Sequence, residues 1–311
     1  MAATPENSLL RVSEEEKIKI REEFNLDEKK VNENLDVIEE WCEKQEHLKE
    51  ALQYFDRKLL EYIHILARGS IEATKTKIDK ILTTRGLLSE LTLNMSIDEF
   101  ENFSENIIYI LLPNLSPRCY SRIFVTQIVN AGNFNFETYL RYICMIGDQR
   151  SRHDYSICDR HILDFKNMNI NIVSKINPIT LKKVQVLGTE TYGLRIKGIH
   201  FVNTPPLAAK LSNLLKLIFK DKISRRIHVH ASYEELHKEI PKEVLPGDYG
   251  GDGPNCAQIA EQWKEYLKTD KARKIMEISN KMKSDESKRS SIKFNEEYLG
   301  MSGTFRSLNV D

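Results

Sequence analysis

Four sets of side chains in this sequence stand at spacings with chemical meaning. His228 and His230 are two apart in a β-branched run, so on a strand they share a face and make half of a metal site. A metal needs three or four ligands and no third stands in register, so a framework role is the more ordinary one and no cofactor is expected. Arg195 and Lys197 are also two apart and project to one side of a strand, while Lys222 and Arg226 are four apart with Arg225 beside them. Solvated surface charge is the ordinary role of such residues. Gly300-Met-Ser-Gly303 has the look of a nucleophile elbow, but its closing glycine is misplaced and no strand precedes it. Asp164 and Glu190 would act as an acid pair only if the fold joined them, which nothing in the sequence does. Asp164 more simply accepts hydrogen bonds at a strand end. Neither a Gly-x-x-x-x-Gly-Lys-Ser/Thr loop nor a Gly-x-Gly-x-x-Gly turn is present.

The elements around these residues are readable from pattern. Leu194 to Asn203 is rich in β-branched and aromatic residues and predicts a strand. Thr204 is a good N-cap and Pro205 suits the first helical position, so a helix is predicted through Phe219. Its Leu207, Leu211, Leu214, Leu215 and Ile218 fall on one face, with Lys210 and Asn213 elsewhere. Ile227 to His230 predicts another short strand. Upstream, Ser13 to about Leu91 reads as a helical module. Val31, Leu35, Ile38 and Cys42 form one stripe, Ala51 to Leu66 a second helix, and Ser70 caps a third running to about Arg85. The polar stretch Asn94 to Asn106 is a candidate linker. Strands follow at Tyr109 to Leu112 and Tyr120 to Val129, a helix at Phe136 to Ile146, and a strand at Ile157 to Phe165. Asn177-Pro178 opens the next helix, with Leu181, Val184 and Leu187 in register and Gly188 as its stop. Strands alternating with helices predict an α/β domain with a largely parallel sheet. Gly250-Gly251 marks a turn with positive φ. A helix around Trp263 spans Ile259 to Leu267, and the polar residues after Lys283 are expected to be loose, with disorder at Ser284 to Ser291.

The run Leu194-Arg-Ile-Lys-Gly-Ile-His-Phe-Val-Asn203, followed by Thr-Pro-Pro and the leucine-rich helix, closely resembles the signature of the CRAL-TRIO lipid-binding family. Lys222-Ile-Ser-Arg-Arg226-Ile-His-Val-His and Leu245-Pro-Gly-Asp-Tyr-Gly-Gly251 resemble the same family. The nearest flavour is the alpha-tocopherol transfer protein-like branch, of the type found in arthropods. Leu66-Ala-Arg-Gly-Ser-Ile-Glu-Ala-Thr-Lys looks like the three-helix unit that precedes the lipid domain. The resemblance implies a helical unit at 1–95, a CRAL-TRIO α/β domain at 96–255 with a mixed, largely parallel sheet and a helical lid over an apolar cavity, and a C-terminal helix and polar tail at 256–311. Two departures concern loops: Asp154-Tyr155 where the family commonly has Gly, and Gly193 where it commonly has Pro.

Carried over by the same resemblance, the cavity would be lined by Tyr142, Met145, Leu163, Val184, Leu187, Leu194, Ile196 and Ile199, under a lid bearing Leu207, Leu211, Leu214, Leu215 and Ile218. Positions matching Arg195, Lys197, Lys222 and Arg226 are basic in the family's phosphoinositide-binding members, and Arg68 is a further candidate. The implied function is that of a carrier, not an enzyme. It would bind one hydrophobic ligand (tocopherol, retinoid, carotenoid or similar lipid) and exchange it at phosphoinositide-containing membranes. The alternative is a lipid-sensing or membrane-recruiting module that transfers nothing.

Composition agrees with a protein of this kind. The 311 residues carry 46 basic and 46 acidic side chains, so no global field argues for nucleic acid. Acidic residues lead up to about residue 50 and basic ones lead after Trp263, as ordinary solvated helix faces do. The five cysteines are scattered with no Cys-x-x-Cys pair, so neither a disulfide framework nor a zinc site is indicated. The first residues lack a basic segment followed by an apolar run, and no run of about 18 apolar residues occurs. The expectation is a monomeric cytoplasmic protein with transient peripheral membrane contact.

Overall fold

Five strands pair in the order of the sequence. They are β1 (Ile107–Leu111), β2 (Ser121–Ile128), β3 (Cys158–Asp164), β4 (Ile196–Val202) and β5 (Ile227–Val229). β1 runs antiparallel to β2, and each later strand is parallel to its neighbour. The structure, a computed structural model, describes residues 9–168, 170–204 and 221–289. The helix expected from Thr204 to Phe219, with Leu207, Leu211, Leu214, Leu215 and Ile218, therefore lies outside the described residues, as does Gly300-Met-Ser-Gly303.

Ten helices are numbered here in chain order. Four precede the sheet: α1 (Glu14–Glu22), α2 (Glu28–Glu43), α3 (Arg57–Leu66) and α4 (Ile71–Leu87). Next come α5 (Phe136–Arg150), between β2 and β3, and α6 (Ile170–Lys175) with α7 (Pro178–Gln185), between β3 and β4. α8 (Tyr233–Glu239), α9 (Cys256–Leu267) and α10 (Asp270–Ser279) follow the sheet. Parallel neighbours taken in order need crossovers of one hand, which deliver their helices to one face of the sheet. The other face is left for α9, whose Trp263 indole donates to the carbonyl of Leu111 at 3.4 Å. Most helices start where the caps predict: Asp27, Ser70, Asn135 and Asn177 each accept a backbone N–H of the first turn.

Several expectations are corrected. The helix expected from Ala51 to Leu66 is two pieces, because Asp56 accepts from the Leu59 amide at 2.8 Å and restarts the chain as α3. The first piece covers only Lys49–Leu52. α5 runs four residues past Ile146, to Arg150. Gly188 does not stop α7; the chain continues as a π-helical stretch, Val186–Thr191. Asn94 to Asn106 is no linker: Ile97, Phe100 and Phe103 are buried, and Asn280 bonds both backbone groups of Met95. Residues 284–289 are not loose either. The Ser284 amide donates to Leu82, the Asp285 amide donates to His47 at 2.7 Å, and Arg289 pairs with Asp79 at 2.9 Å. Polar composition was misleading there because the polar groups are spent on internal partners. α10, capped by Thr269, was not anticipated.

The two glycine positions singled out by the resemblance differ in cause. Gly193 has φ +63, which proline cannot adopt, and a Cβ there would collide with the Lys77 ammonium. Gly250 takes the expected left-handed conformation at φ +68. Gly251 has no positive φ; a side chain there would run into the Leu245 backbone. Among the described residues no helix is long and apolar enough to cross a membrane.

Candidate ligand cavity

Strand residues alternate between faces, and one face of this sheet opens onto a hollow. Phe124, Thr126 and Ile128 of β2 and Asp159, His161 and Leu163 of β3 all line a cavity of about 340 Å³. α5 supplies Leu140, Cys144 and Asp148, with Tyr139, Ile143 and Gly147 beside them and its C-cap Ser151 in line, the spacing of one broad helical face. Tyr62 and Ile63 come from α3, Ile81 and Arg85 from α4, Leu181 and Val184 from α7. The wall is overwhelmingly hydrocarbon and aromatic.

The charged groups that reach it are held in place. Arg85 is fully buried and makes a two-pronged contact with Asp148, at 2.7 and 3.1 Å. It also donates to the Tyr192 hydroxyl and to the carbonyls of Thr92, Ser279 and Met282. Arg150 grips Asp159 at 2.6 Å, shares Asp154 with Arg122, and lies 4.9 Å over the Phe124 ring. Burial works against the Asp154 charge, yet Arg122 and Arg150 prevail and hold its carboxyl far below the usual range. Asp154, the first of the two loop departures, is thus the hub that closes the loop before β3. Its neighbour Tyr155 donates to Glu61 at 2.6 Å, which docks the loop on α3.

Other polar groups in the wall are less occupied. Thr126 and Tyr139 bond each other at 3.1 Å. Tyr62, Tyr109 and His161 bring two phenols and an imidazole to the same wall. Burial pushes the His161 imidazole down to about 4, so it is neutral at ordinary pH. Its ring stacks on Phe124, with centroids 4.7 Å apart.

Six of the eight expected lining residues face this hollow: Leu163, Val184, Leu187, Leu194, Ile196 and Ile199. Tyr142 and Met145 do not. They sit three apart on the other face of α5, where Tyr142 stacks on Phe103 at 3.8 Å and Met145 is fully buried. Both faces of α5 are apolar, so periodicity alone does not separate them. Tyr62, His161 and the Arg85–Asp148 pair were missed. A period-two reading back from Leu163 reaches His161 and Asp159; nothing local marks Arg85 or Tyr62.

Of the four expected basic residues, Arg195 directly precedes β4, Lys197 is on it, and Lys222 and Arg226 precede β5. Burial, and after it the charges of Arg68 and Arg226, lower the Arg195 pKa. Lys197 lies close enough to act on the Cys158 thiol. Lys222 is exposed on the turn Asp221–Ser224, and Arg226 donates to the Ile196 carbonyl. His228 and His230 stack with His200, whose Nδ1 is 2.9 Å from His230 Nε2. Among the described residues no group of three or more His, Cys, Asp or Glu is arranged to hold a metal. Asp164 accepts from the Lys166 amide, Asn203 and the Tyr249 hydroxyl, as a strand-end carboxylate does. The Glu190 side chain lies outside the described residues.

Residues 106–251 match the CRAL/TRIO domain, and the five-stranded, mostly parallel sheet falls within them, whereas the cavity also takes wall residues from outside that span, such as Tyr62, Arg85 and Met282. Over that span the chain is similar to the CRAL/TRIO family. Over 91 residues (29% of this chain and 26% of the relative) it is 32% identical to "Alpha-tocopherol transfer protein-like" of Mus musculus. Over 94 residues (30% and 27%) it is 35% identical to "Clavesin-1" of Rattus norvegicus. These matches span about a quarter of the relatives' own length. A crystal structure of Sfh5 superposes with a TM-score of 0.46 at 17% identity, over 75% of this chain and 92% of that one.

Proposed function

We propose that this protein is a carrier that encloses one hydrophobic ligand between the sheet and its crossover helices and exchanges it at membranes. The observation that carries the reading is the cavity itself. It is a hollow of about 340 Å³ with a hydrocarbon wall, inside a sheet-and-helix body that is otherwise closely packed. Burying about 300 Å² of ligand hydrocarbon contributes on the order of 7 kcal/mol, enough for firm binding without many polar contacts. The similarity to a protein named as alpha-tocopherol transfer protein-like supports the same class of cargo.

Exchange at an anionic membrane is the second part of the proposal. Arg195 feels the charges of Arg68 and Arg226, Lys197 and Lys222 are near them in the chain, and each cation near an anionic bilayer contributes about 1 kcal/mol. Phosphoinositide headgroups offer the charge density such a cluster suits.

The experiment is transfer of a fluorescent lipid between donor and acceptor vesicles, run beside native mass spectrometry of the purified protein. A carrier shows bound hydrophobic cargo and speeds transfer. Cargo without transfer indicates a sensing or recruiting module, and neither cargo nor transfer removes the proposal. Reversal of Arg195, Lys197, Lys222 and Arg226 to Glu should abolish binding to phosphoinositide vesicles; unchanged binding defeats the membrane part alone.

A further inference from the structure

We infer that a chain of polar contacts from Glu239 through Arg160 and His200 to His230 fastens β5 to the sheet only while both imidazoles are neutral, so that acid frees this edge and loosens the cavity wall beside it; the consequence for cargo rests on the carrier reading above. The four side chains come from α8, β3, β4 and the residue after β5. His200 pairs in register with Ile162, which puts it on the sheet face away from the hollow. Glu239 lies 3.6 Å from Arg160 Nη1, which stands 3.3 Å from His200 Nε2, and His200 Nδ1 stands 2.9 Å from His230 Nε2. A guanidinium only donates, so His200 Nε2 accepts. The single proton of the neutral ring is then on Nδ1, where it is donated to His230. Gly198 makes room for this ring, since a Cβ there would collide with His200 Nε2.

An added proton has no place in this chain. On His200 it would make Nε2 a donor facing a donor, and on His230 it would do the same to the nitrogen that faces His200 Nδ1. The surroundings oppose the charge as well. Burial comes first at His200, followed by Arg160 from β3, then His230 and His228 from the β5 side and His161. The His200 and His228 rings are direct partners across the strands with centroids 5.2 Å apart, so like charges there would push β5 from β4. Glu235 and Glu239 of α8 favour a proton on His230, but burial and His228 outweigh them and its pKa stays below 6.5. Freed of the contacts, both rings take up protons at the ordinary value. The fastened edge is therefore fully favoured above pH 6.5 and is lost as pH falls toward the lowered values. β5 is also the place least able to resist. It is the last strand of the sheet, with three residues against seven in β4. Ile223 and Ile227 pack on the cluster of Ile199, Phe201 and Phe165, and Ile199 lines the cavity. Release of β5 takes the backing from that part of the wall.

Hydrogen exchange of the full chain at pH 7.5 and pH 5.0 tests the fastening without any cargo. Protection factors at residues 227–230 should fall about tenfold or more at pH 5.0, while those of Ile123 and Val125 in β2 hold. His200→Gln keeps an acceptor and a donor but does not titrate, so its protection at 227–230 should depend far less on pH. Should that variant fail to fold, the unmodified protein decides alone. No loss at 227–230, an equal loss throughout the sheet, or a full loss in His200→Gln overturns the inference and leaves the carrier reading standing. The effect on cargo is read from bound Nile red, which the unmodified protein should release several times faster at pH 5.0 than His200→Gln does. Equal release overturns the link to the cavity. Nile red bound at neither pH removes the carrier reading, while the exchange result still decides the fastening.

Discussion

The two faces of the same sheet have opposite fates. On one, Ile110, Ile123, Val125 and Ile162 are fully buried in a core that includes Trp263, Tyr249 and Ile259. On the other, Phe124, His161 and Leu163 look into a hollow, although they alternate with those residues along the same strands. Hydrophobicity does not explain the difference, since both faces are apolar. Attachment does. On the packed face, apolar helices are free to approach until they touch. On the hollow face, α4, α5 and β3 are tied to fixed points by Arg85–Asp148 and Arg150–Asp159, whose geometry sets how near the walls come. Charge is being used as a spacer that hydrocarbon cannot supply.

Breaking a tie should have the largest effect. Arg150→Leu leaves Asp154 and Asp159 short of a partner in the interior, at a cost of about 3–5 kcal/mol measured by urea unfolding. A loss under about 1 kcal/mol would mean the pairs do not brace the wall. Adjacent residues of β3 give the direct contrast. Ile162→Ala opens a void in a solid core and should cost about 3 kcal/mol, whereas Leu163→Ala enlarges an existing hollow and should cost about 1 kcal/mol while altering ligand affinity. Equal losses would abolish the distinction between the faces.

Acid probes the hollow face next. His161 has an ordinary value of 6.5 and is pushed down to about 4 by burial, so the unfolded chain takes up its proton first. Stability is therefore complete above pH 6.5 and falls as pH drops toward the folded value, by about 2 kcal/mol at pH 5. His161→Phe should flatten that part of the stability profile; an unchanged slope assigns the loss to other groups, such as buried His200. The smallest stability effect belongs to Gly147, which lines the cavity and has nothing within 4 Å of where a Cβ would stand. Gly147→Leu should raise helix stability by up to about 1 kcal/mol yet reduce ligand uptake by filling the space.

The contrast between faces also explains what the sequence disclosed. Strand and helix positions follow from periodicity and caps, so β2, β3, α4 and α7 begin within two residues of where pattern places them. Six of the residues named by the family resemblance lie along the hollow. Tyr142 went to the wrong side because α5 presents apolar residues all round its buried half, and only the assembled fold says which part meets space. The buried arginines were illegible for a different reason. Arginine is read as surface charge by default, and Arg85, Asp148 and the partners of both are far apart in sequence. Residues 284–289 were misread by the same default.

Those distant partners carry a consequence for the order in which the protein is made. Arg85 belongs to the first third of the chain, but two of its acceptors are the carbonyls of Ser279 and Met282, the latter 197 residues further on. While the ribosome is still adding that stretch, the guanidinium has Asp148, Tyr192 and Thr92 but lacks its last two acceptors, and the chamber it braces has no finished wall. The chamber is therefore finished only after Met282 has been added.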